Sequence, residues 1–313
     1  MKNQLVCYTT LQLMIAERVV AELGLSDVVF SFVTKKPYDS STNFISTLRG
    51  RGYSVNEYYY DGKVLETAFE LVRVFSKVRA DSIYIASIDN VFMHLILSKA
   101  SYDSLYTFDD GSANVIKSSV YYNLEKRSFK FKLFYFLFFI NFDASKVKRL
   151  SKAHYTIYPN RSNIIEKTVP VTLFDYKSEG MKNGKSINVL VGACYDEIFV
   201  EDCSTLIDNV CAFLDDTGLE TVYVKHPREF SSKVANKFKM LDSRQVAEVH
   251  ISNLLDEYET VNIYSFLSTC QLNLSSIPRV NNFVIYSEKM TSTFKSCIKE
   301  FSDEGFFTTL ELD

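Results

Sequence analysis

Apolar residues fall into short runs that alternate with segments of helical spacing. Leu5–Tyr8 is a run of strand length. Across Thr10–Leu23, Leu11, Met14, Ile15 and Val19 share one helical face, and Gly24 supplies a stop. Val28–Val33 reads as a second strand and Val64–Ser76 as a helix. Ser82–Ser87 is a strand, Asn90–Lys99 a helix, and Leu105–Phe108 a strand that runs into Asp109-Asp110-Gly111. Strand and helix alternating at this spacing predict a parallel sheet covered by helices on both faces.

The pattern then restarts. Tyr176–Ser186 is polar and rich in Lys, Gly and Ser, the strongest linker signal in the chain. Beyond it come a strand at Ile187–Val191, a helix over Asp196–Leu214 closed by Gly218, and a strand at Glu220–Lys225. A helix over Ser232–Leu241 and strands at Val261–Tyr264 and Phe283–Tyr286 complete the reading. No internal repeat is visible. The fold class predicted is α/β, two Rossmann-like domains facing each other across a cleft. Their expected bounds are residues 1–175 and 187–313.

Composition narrows the function classes. A chain of 313 residues with 47% hydrophobic and 23% charged residues is globular, neither disordered nor fibrous. A net charge of −3 offers no basic field for nucleic acid. The six cysteines form no C-x-x-C pair and no zinc spacing, so they read as reduced thiols of a cytoplasmic protein. The N-terminal apolar stretch is too short for a signal peptide, and no run reaches the roughly 20 apolar residues that span a bilayer. One segment stands apart. Phe129–Phe142 reads F-K-F-K-L-F-Y-F-L-F-F-I-N-F and is flanked by Lys126, Arg127, Lys146, Lys148 and Arg149. It is compatible with peripheral contact with an anionic membrane, with a homodimer interface, or with a buried helix.

Ligands of open parallel sheets bind beyond the carboxyl ends of the strands. Four predicted strands end in residues with chemistry. After Leu105–Phe108, the adjacent carboxylates Asp109 and Asp110 offer a general base; the plain alternative is an Asp-Gly turn. After Ile187–Val191, Gly192 permits close backbone approach, and Asp196 is either a base or a helix cap. After Glu220–Lys225, His226, Pro227 and Arg228 suit a phosphate clamp on a stiffened turn; the plain alternative is a surface turn with solvated charges. After Val261–Tyr264, Ser265, Ser268 and Thr269 bring hydroxyls suited to phosphate or ribose, or to capping a helix. There is no P-loop, no G-x-G-x-x-G fingerprint, no G-x-S-x-G elbow and no evident D-x-D pattern, which leaves a phosphate-containing donor and no expected metal or cofactor.

These residues resemble glycosyltransferase family 52. The likeness runs through Cys7–Gln12, Ala16-Glu17-Arg18, Tyr84–Ser87, Thr107–Asn114, His154–Ile157, Leu173–Asp175, Val189–Gly192, His226–Arg228 and Ile263–Phe266. The resemblance implies a GT-B fold and an inverting, metal-independent transfer of sialic acid from CMP-sialic acid. The implied acceptor is a terminal galactose of a bacterial surface glycan, joined α-2,3. By carry-over His226 binds the CMP phosphate and assists its departure, with Arg228 nearby. Gly192, Pro227, Tyr264, Ser265, Ser268 and Thr269 would line the nucleotide pocket. The family's base lies in the loop after the glycine, where Asp196 is the nearest match; Asp109 and Asp110 are the other candidates. The first domain would then take the acceptor and the second the donor. Competing readings are another CMP-nonulosonic acid or a UDP-hexose as donor, and a non-catalytic nucleotide-binding protein.

Overall fold

A computed structural model describes residues 2–117, 119–123, 128–159, 161–174, 184–226, 229, 234–242 and 244–312. The chain folds as two compact units, Met1–Leu173 and Phe174–Asp313.

The first unit holds strands β1 (Asn3–Cys7), β2 (Val28–Thr34), β3 (Ser54–Tyr59), β4 (Arg79–Ile85), β5 (Ser101–Phe108), β6 (His154–Thr156) and β7 (Thr168–Pro170). Its helices are α1 (Thr10–Leu23), α2 (Asp39–Gly50), α3 (Val64–Phe75), α4 (Val91–Lys99), α5 (Phe129–Leu137) and α6 (Ala144–Leu150). The strands form one parallel sheet in the order β3-β2-β1-β4-β5-β6-β7. Every residue of β1 is buried, as expected of a central strand covered on both faces. Local signals fix the helix ends. The Thr9 hydroxyl accepts from Gln12 N–H at 3.3 Å, and Gly24 closes α1 at φ 59°. Asn90 Oδ1 accepts from Phe92 N–H at 2.8 Å to start α4.

The second unit holds β8 (Ser186–Val191), β9 (Thr221–Val224), β10 (Lys239–Met240), β11 (Thr260–Ser265), β12 (Val280–Tyr286) and β13 (Thr308–Glu311). Helices α7 (Tyr195–Ile198), α8 (Ser204–Asp216), α9 (Ala247–Glu257), α10 (Thr269–Asn273) and α11 (Ser292–Asp303) connect them. The sheet is again parallel, ordered β10-β9-β8-β11-β12-β13.

Several segments differ from the sequence expectation. Asp39–Gly50 and Ser54–Tyr59 form an additional helix and an edge strand. The helix expected over Asp196–Leu214 is two: a single turn at α7, then α8 from Ser204. Where a helix was expected over Ser232–Leu241, the described residues form a 3-10 turn at Val234–Asn236 and the strand β10. Most of the polar linker, residues 176–183, lies outside the described residues.

Candidate functional site

Sheet order brings the ends of β1, β4 and β5 side by side in the first unit. Asp110 stands there, half-buried, just beyond β5. Its Oδ1 accepts from Gln12 Nε2, and its Oδ2 from Tyr121 OH and from Ser87 Oγ at 3.2 Å. Gln12 is fully buried and braces the cluster: it also donates to Ser87 Oγ at 2.9 Å and accepts from Tyr8 N–H at 2.6 Å. Asp110 N–H donates to Asn114 Oδ1 at 2.8 Å, closing a tight turn. Gly111 takes φ 123° in that turn, a conformation open to glycine and strained for any side chain. Burial pushes the Asp110 carboxyl up to about 6, and the three donors only partly oppose it. A carboxylate tuned toward neutral pH at an open strand end is suited to general-base work.

Asp109 departs from its expected role as a candidate base. It is fully buried, and both carboxylate oxygens serve the fold. Oδ1 accepts from His154 Nε2 at 2.8 Å and from Asn163 Nδ2 at 3.1 Å, and Oδ2 from Ile157 N–H at 2.7 Å. The register of β5 and β6 pairs Thr107 with His154, and the Thr107 hydroxyl lies 2.9 Å from His154 Nδ1. Held this way, Asp109 locks β6 onto β5, and at 0% exposure its carboxylate is out of a substrate's reach.

In the second unit, Gly192 follows β8 and its N–H donates to Val224 O at 2.8 Å. A Cβ at this position would lie 2.3 Å from Glu229 Oε2, 2.6 Å from Tyr223 OH and 2.9 Å from His226 N. Only glycine fits, but the group that approaches its backbone belongs to the protein itself. Glu229 is buried, accepts from Tyr223 OH and takes His226 N–H at 3.4 Å. Burial raises the Glu229 carboxyl above its ordinary range. The Tyr223–Glu229 pair therefore pins the turn that carries His226. The His226 ring is half-buried, with Nδ1 3.2 Å from Cys194 Sγ, so Cys194 after β8 meets His226 after β9. Pro227 and Arg228 lie outside the described residues.

The remaining expected residues divide. Asp196 is exposed in the one-turn helix α7; Cys194, not Asp196, occupies the cap position. Tyr264 is buried, with its ring stacked 4.9 Å from Phe283 and edge-on to Phe213 at 5.9 Å, so it is a core residue. Ser265 is fully buried and its hydroxyl has no hydrogen-bond partner among the described residues. The helix cap after β11 is Ser268, not Ser265: the Ser268 hydroxyl accepts from Cys270 N–H at 3.3 Å. Thr269 is exposed at the first position of α10. Among the described residues, no three His, Cys, Asp or Glu side chains converge as metal ligands.

Sequence reasoning gave no role to Gln12, Ser87, Tyr121, Tyr223 or Glu229. Gln12 left one signal, a polar residue between Leu11 and Leu13 on a helix whose other inward positions are apolar. Glu229 left another, a carboxylate three residues after His226 in a turn.

Two parallel α/β units in tandem, together with the structures they resemble, give the GT-B fold class. The fold resembles that of S. aureus MnaA in its UDP co-structure, at TM-score 0.57 and 14% identity, covering 100% of this chain and 85% of that one. It also resembles the Methanocaldococcus jannaschii UDP-GlcNAc 2-epimerase, at TM-score 0.52 and 11% identity, covering 100% and 90%. At these identities the likeness concerns fold alone. The chain belongs to glycosyltransferase family 52, whose profile it matches over residues 28–289. It is 25% identical over 311 residues to the CMP-N-acetylneuraminate:beta-galactoside alpha-2,3-sialyltransferase of Pasteurella multocida, covering 97% of both chains. It is 24% identical over 312 residues to the N-acetyllactosaminide alpha-2,3-sialyltransferase of Haemophilus influenzae, again covering 97% of both. A Neisseria meningitidis enzyme of the same name is 25% identical, covering 90% of this chain and 78% of its own.

Proposed function

We propose that this chain is an inverting, metal-independent sialyltransferase. It moves sialic acid from CMP-sialic acid to a terminal galactose of a bacterial surface glycan, forming an α-2,3 linkage. The observation that carries the reading is end-to-end likeness to two alpha-2,3-sialyltransferases, over 97% of each chain. The strand-end chemistry fits it. No disulfide joins the six cysteines, which fits the reducing cytoplasm.

In this reading the second unit takes the donor. His226 meets the CMP phosphate, and the Tyr223–Glu229 pair holds the turn beneath it. The first unit takes the acceptor. A carboxylate removes the proton from the galactose hydroxyl as that oxygen attacks the anomeric carbon, and Asp110, with its carboxyl at about 6, is the first unit's candidate for that base. The bond from that carbon to the phosphate oxygen breaks, and the configuration inverts. The electron pair leaves with CMP, where a hydrogen bond from His226 stabilises the growing charge. Base assistance of this kind contributes about 10²–10⁴ in rate. The leaving group carries a single phosphate, so one well-placed donor set serves where a diphosphate often needs a cation. Asp110 is preferred over Asp196 because its burial and three donors both tune and orient it.

The test is a thermal-shift panel of CMP, UMP, UDP, GDP and ADP without added metal, followed by turnover of CMP-sialic acid on galactosides. A ligand that binds only the folded state stabilises it by about 2.7 kcal/mol at 100 times Kd. Stabilisation by CMP above the others, with transfer to galactose, is the expected result. Stabilisation by UDP instead would move the enzyme to hexose transfer. Binding of CMP with no turnover on any galactoside would leave a nucleotide-binding protein.

A further inference from the structure

We propose that α5 and the turn after it dock on a membrane surface bearing anionic phospholipid headgroups. The inference concerns the first unit's outer surface and stands apart from the sialyltransferase reading. Not one of the nine residues of α5 is buried, although seven of them are aromatic or leucine. Phe129 is 79% exposed, Phe136 73% and Phe139 79%; Phe131, Leu133 and Leu137 are exposed with them. Soluble proteins seldom leave so much contiguous apolar surface in water unless a partner covers it.

The helix is held in place from its other side. Tyr135 OH shares a hydrogen bond with Nδ1 of His94 on α4. The Phe138 ring packs 4.6 Å from Phe134 and 5.1 Å from Phe69 of α3. The exposed face is therefore presented by anchored side chains. At 1.5 Å per residue, nine residues reach only about 14 Å, less than half of a bilayer core. Among the described residues no helix is long and apolar enough to cross a membrane. The geometry is that of a helix lying in the interface.

Charge selects the occupant. Lys130 and Lys132 alternate with the phenylalanines of α5 and are exposed, as are Arg149 in the last turn of α6 and Lys152 just after it. The only acid between residues 128 and 152 is Asp143, whose carboxylate caps α6 by accepting from Lys146 N–H at 2.7 Å. The Lys146 ammonium lies 4.2 Å from the Phe142 ring centre and that of Lys99 5.8 Å from Phe139, each cation beside an aromatic ring. A second copy meeting α5 symmetrically would bring lysines against lysines, while the acids that could receive them, Glu66 and Glu70, stand off that helix on α3. Phosphate headgroups receive the cations while the rings enter the acyl boundary. On the α3 margin, where Phe69 extends the apolar face, Glu66 and Glu70 are exposed, which places the centre of contact at α5.

The experiment is flotation of the full chain with vesicles of phosphatidylcholine alone and with phosphatidylglycerol added. Binding to the phosphatidylglycerol vesicles, weakening as salt rises, is expected. Lys130→Glu with Lys132→Glu should lower that partitioning roughly tenfold or more, since each basic residue near an anionic surface adds to attraction. Phe129→Ser with Phe136→Ser should abolish it while leaving the Tm and the activity on a soluble acceptor unchanged. Equal flotation with both vesicle types would overturn the proposal, as would variants that bind like the parent. Sedimentation of the same samples without lipid decides the rival occupant. A dimer that the Phe129→Ser, Phe136→Ser variant converts to monomer, with no vesicle binding by the parent, would assign this face to a second copy.

Discussion

Asp109 and Asp110 are joined by one peptide bond and share no side-chain hydrogen-bond partner. Asp109 accepts from His154 Nε2, Asn163 Nδ2 and Ile157 N–H inside the sheet, whereas Asp110 accepts from Gln12, Ser87 and Tyr121 at its open end. Removing the two carboxylates should therefore cost different things. Asp109→Ala leaves a buried His154 without its acceptor, which should destabilise the fold by about 1–3 kcal/mol. A urea melt reads the loss, and a variant as stable as the parent would contradict the structural role.

Asp110→Asn should fold and bind CMP but lose about 10²–10⁴ in kcat. In the parent, kcat/KM should fall as pH drops through about 6, because the base is then protonated. Stability should move the opposite way. A carboxyl raised from 3.8 to about 6 by folding favours the protonated native state, so its contribution is full below about 4 and lost as pH rises to about 6. The change amounts to at most roughly 3 kcal/mol. Asp110→Asn should flatten both profiles. If Asp196→Asn instead removes turnover and Asp110→Asn does not, the base belongs to α7.

Gly192→Ala sets a methyl group against Glu229, Tyr223 and the His226 backbone. Overpacking of this kind costs about 1–3 kcal/mol. The larger effect should fall on function, since the displaced turn carries His226. We expect a lower Tm together with a lost thermal shift from CMP. A normal CMP shift would show that the turn tolerates the methyl.

Cys194 touches His226 at 3.2 Å. Cys194→Ser keeps a hydrogen-bonding group beside Nδ1 and should retain most of the kcat, whereas Cys194→Ala should lower it with little change in KM. The split between the two variants is the diagnostic; equal rates would mean that the thiol only fills space. His226→Ala, by contrast, should abolish the CMP thermal shift.

Much of the frame could be read from residue pattern, for identifiable reasons. The helix expected over Thr10–Leu23 is the helix observed, because Thr9 and Gly24 are strong local signals at its two ends. Asp39–Gly50 escaped because Asp39-Ser40-Ser41-Thr42 has the composition of a loop, and only Ile45 and Leu48 plant its apolar side in the core. Apolar spacing continues through the stretch after Asp196 and predicts one helix, although the backbone leaves helical geometry after Ile198. At the site, strand ends and His226 could be located from the alternation of elements. The brace around Asp110 could not, since Gln12, Ser87 and Tyr121 come from distant parts of the chain. A strand-end tyrosine can turn outward or inward, and the stacking of Tyr264 on Phe283 turns its ring toward the core.

The chain has no tryptophan, and Tyr84 and Tyr106 stack at 4.9 Å with Tyr155 6.1 Å from each. Its native emission is therefore tyrosine emission, drawn from 20 tyrosines of which this trio is a part. The remainder of the spectrum is dark. One indole introduced at Phe136 would be the sole long-wavelength emitter, and its colour would report directly whether that position sits in water or in lipid.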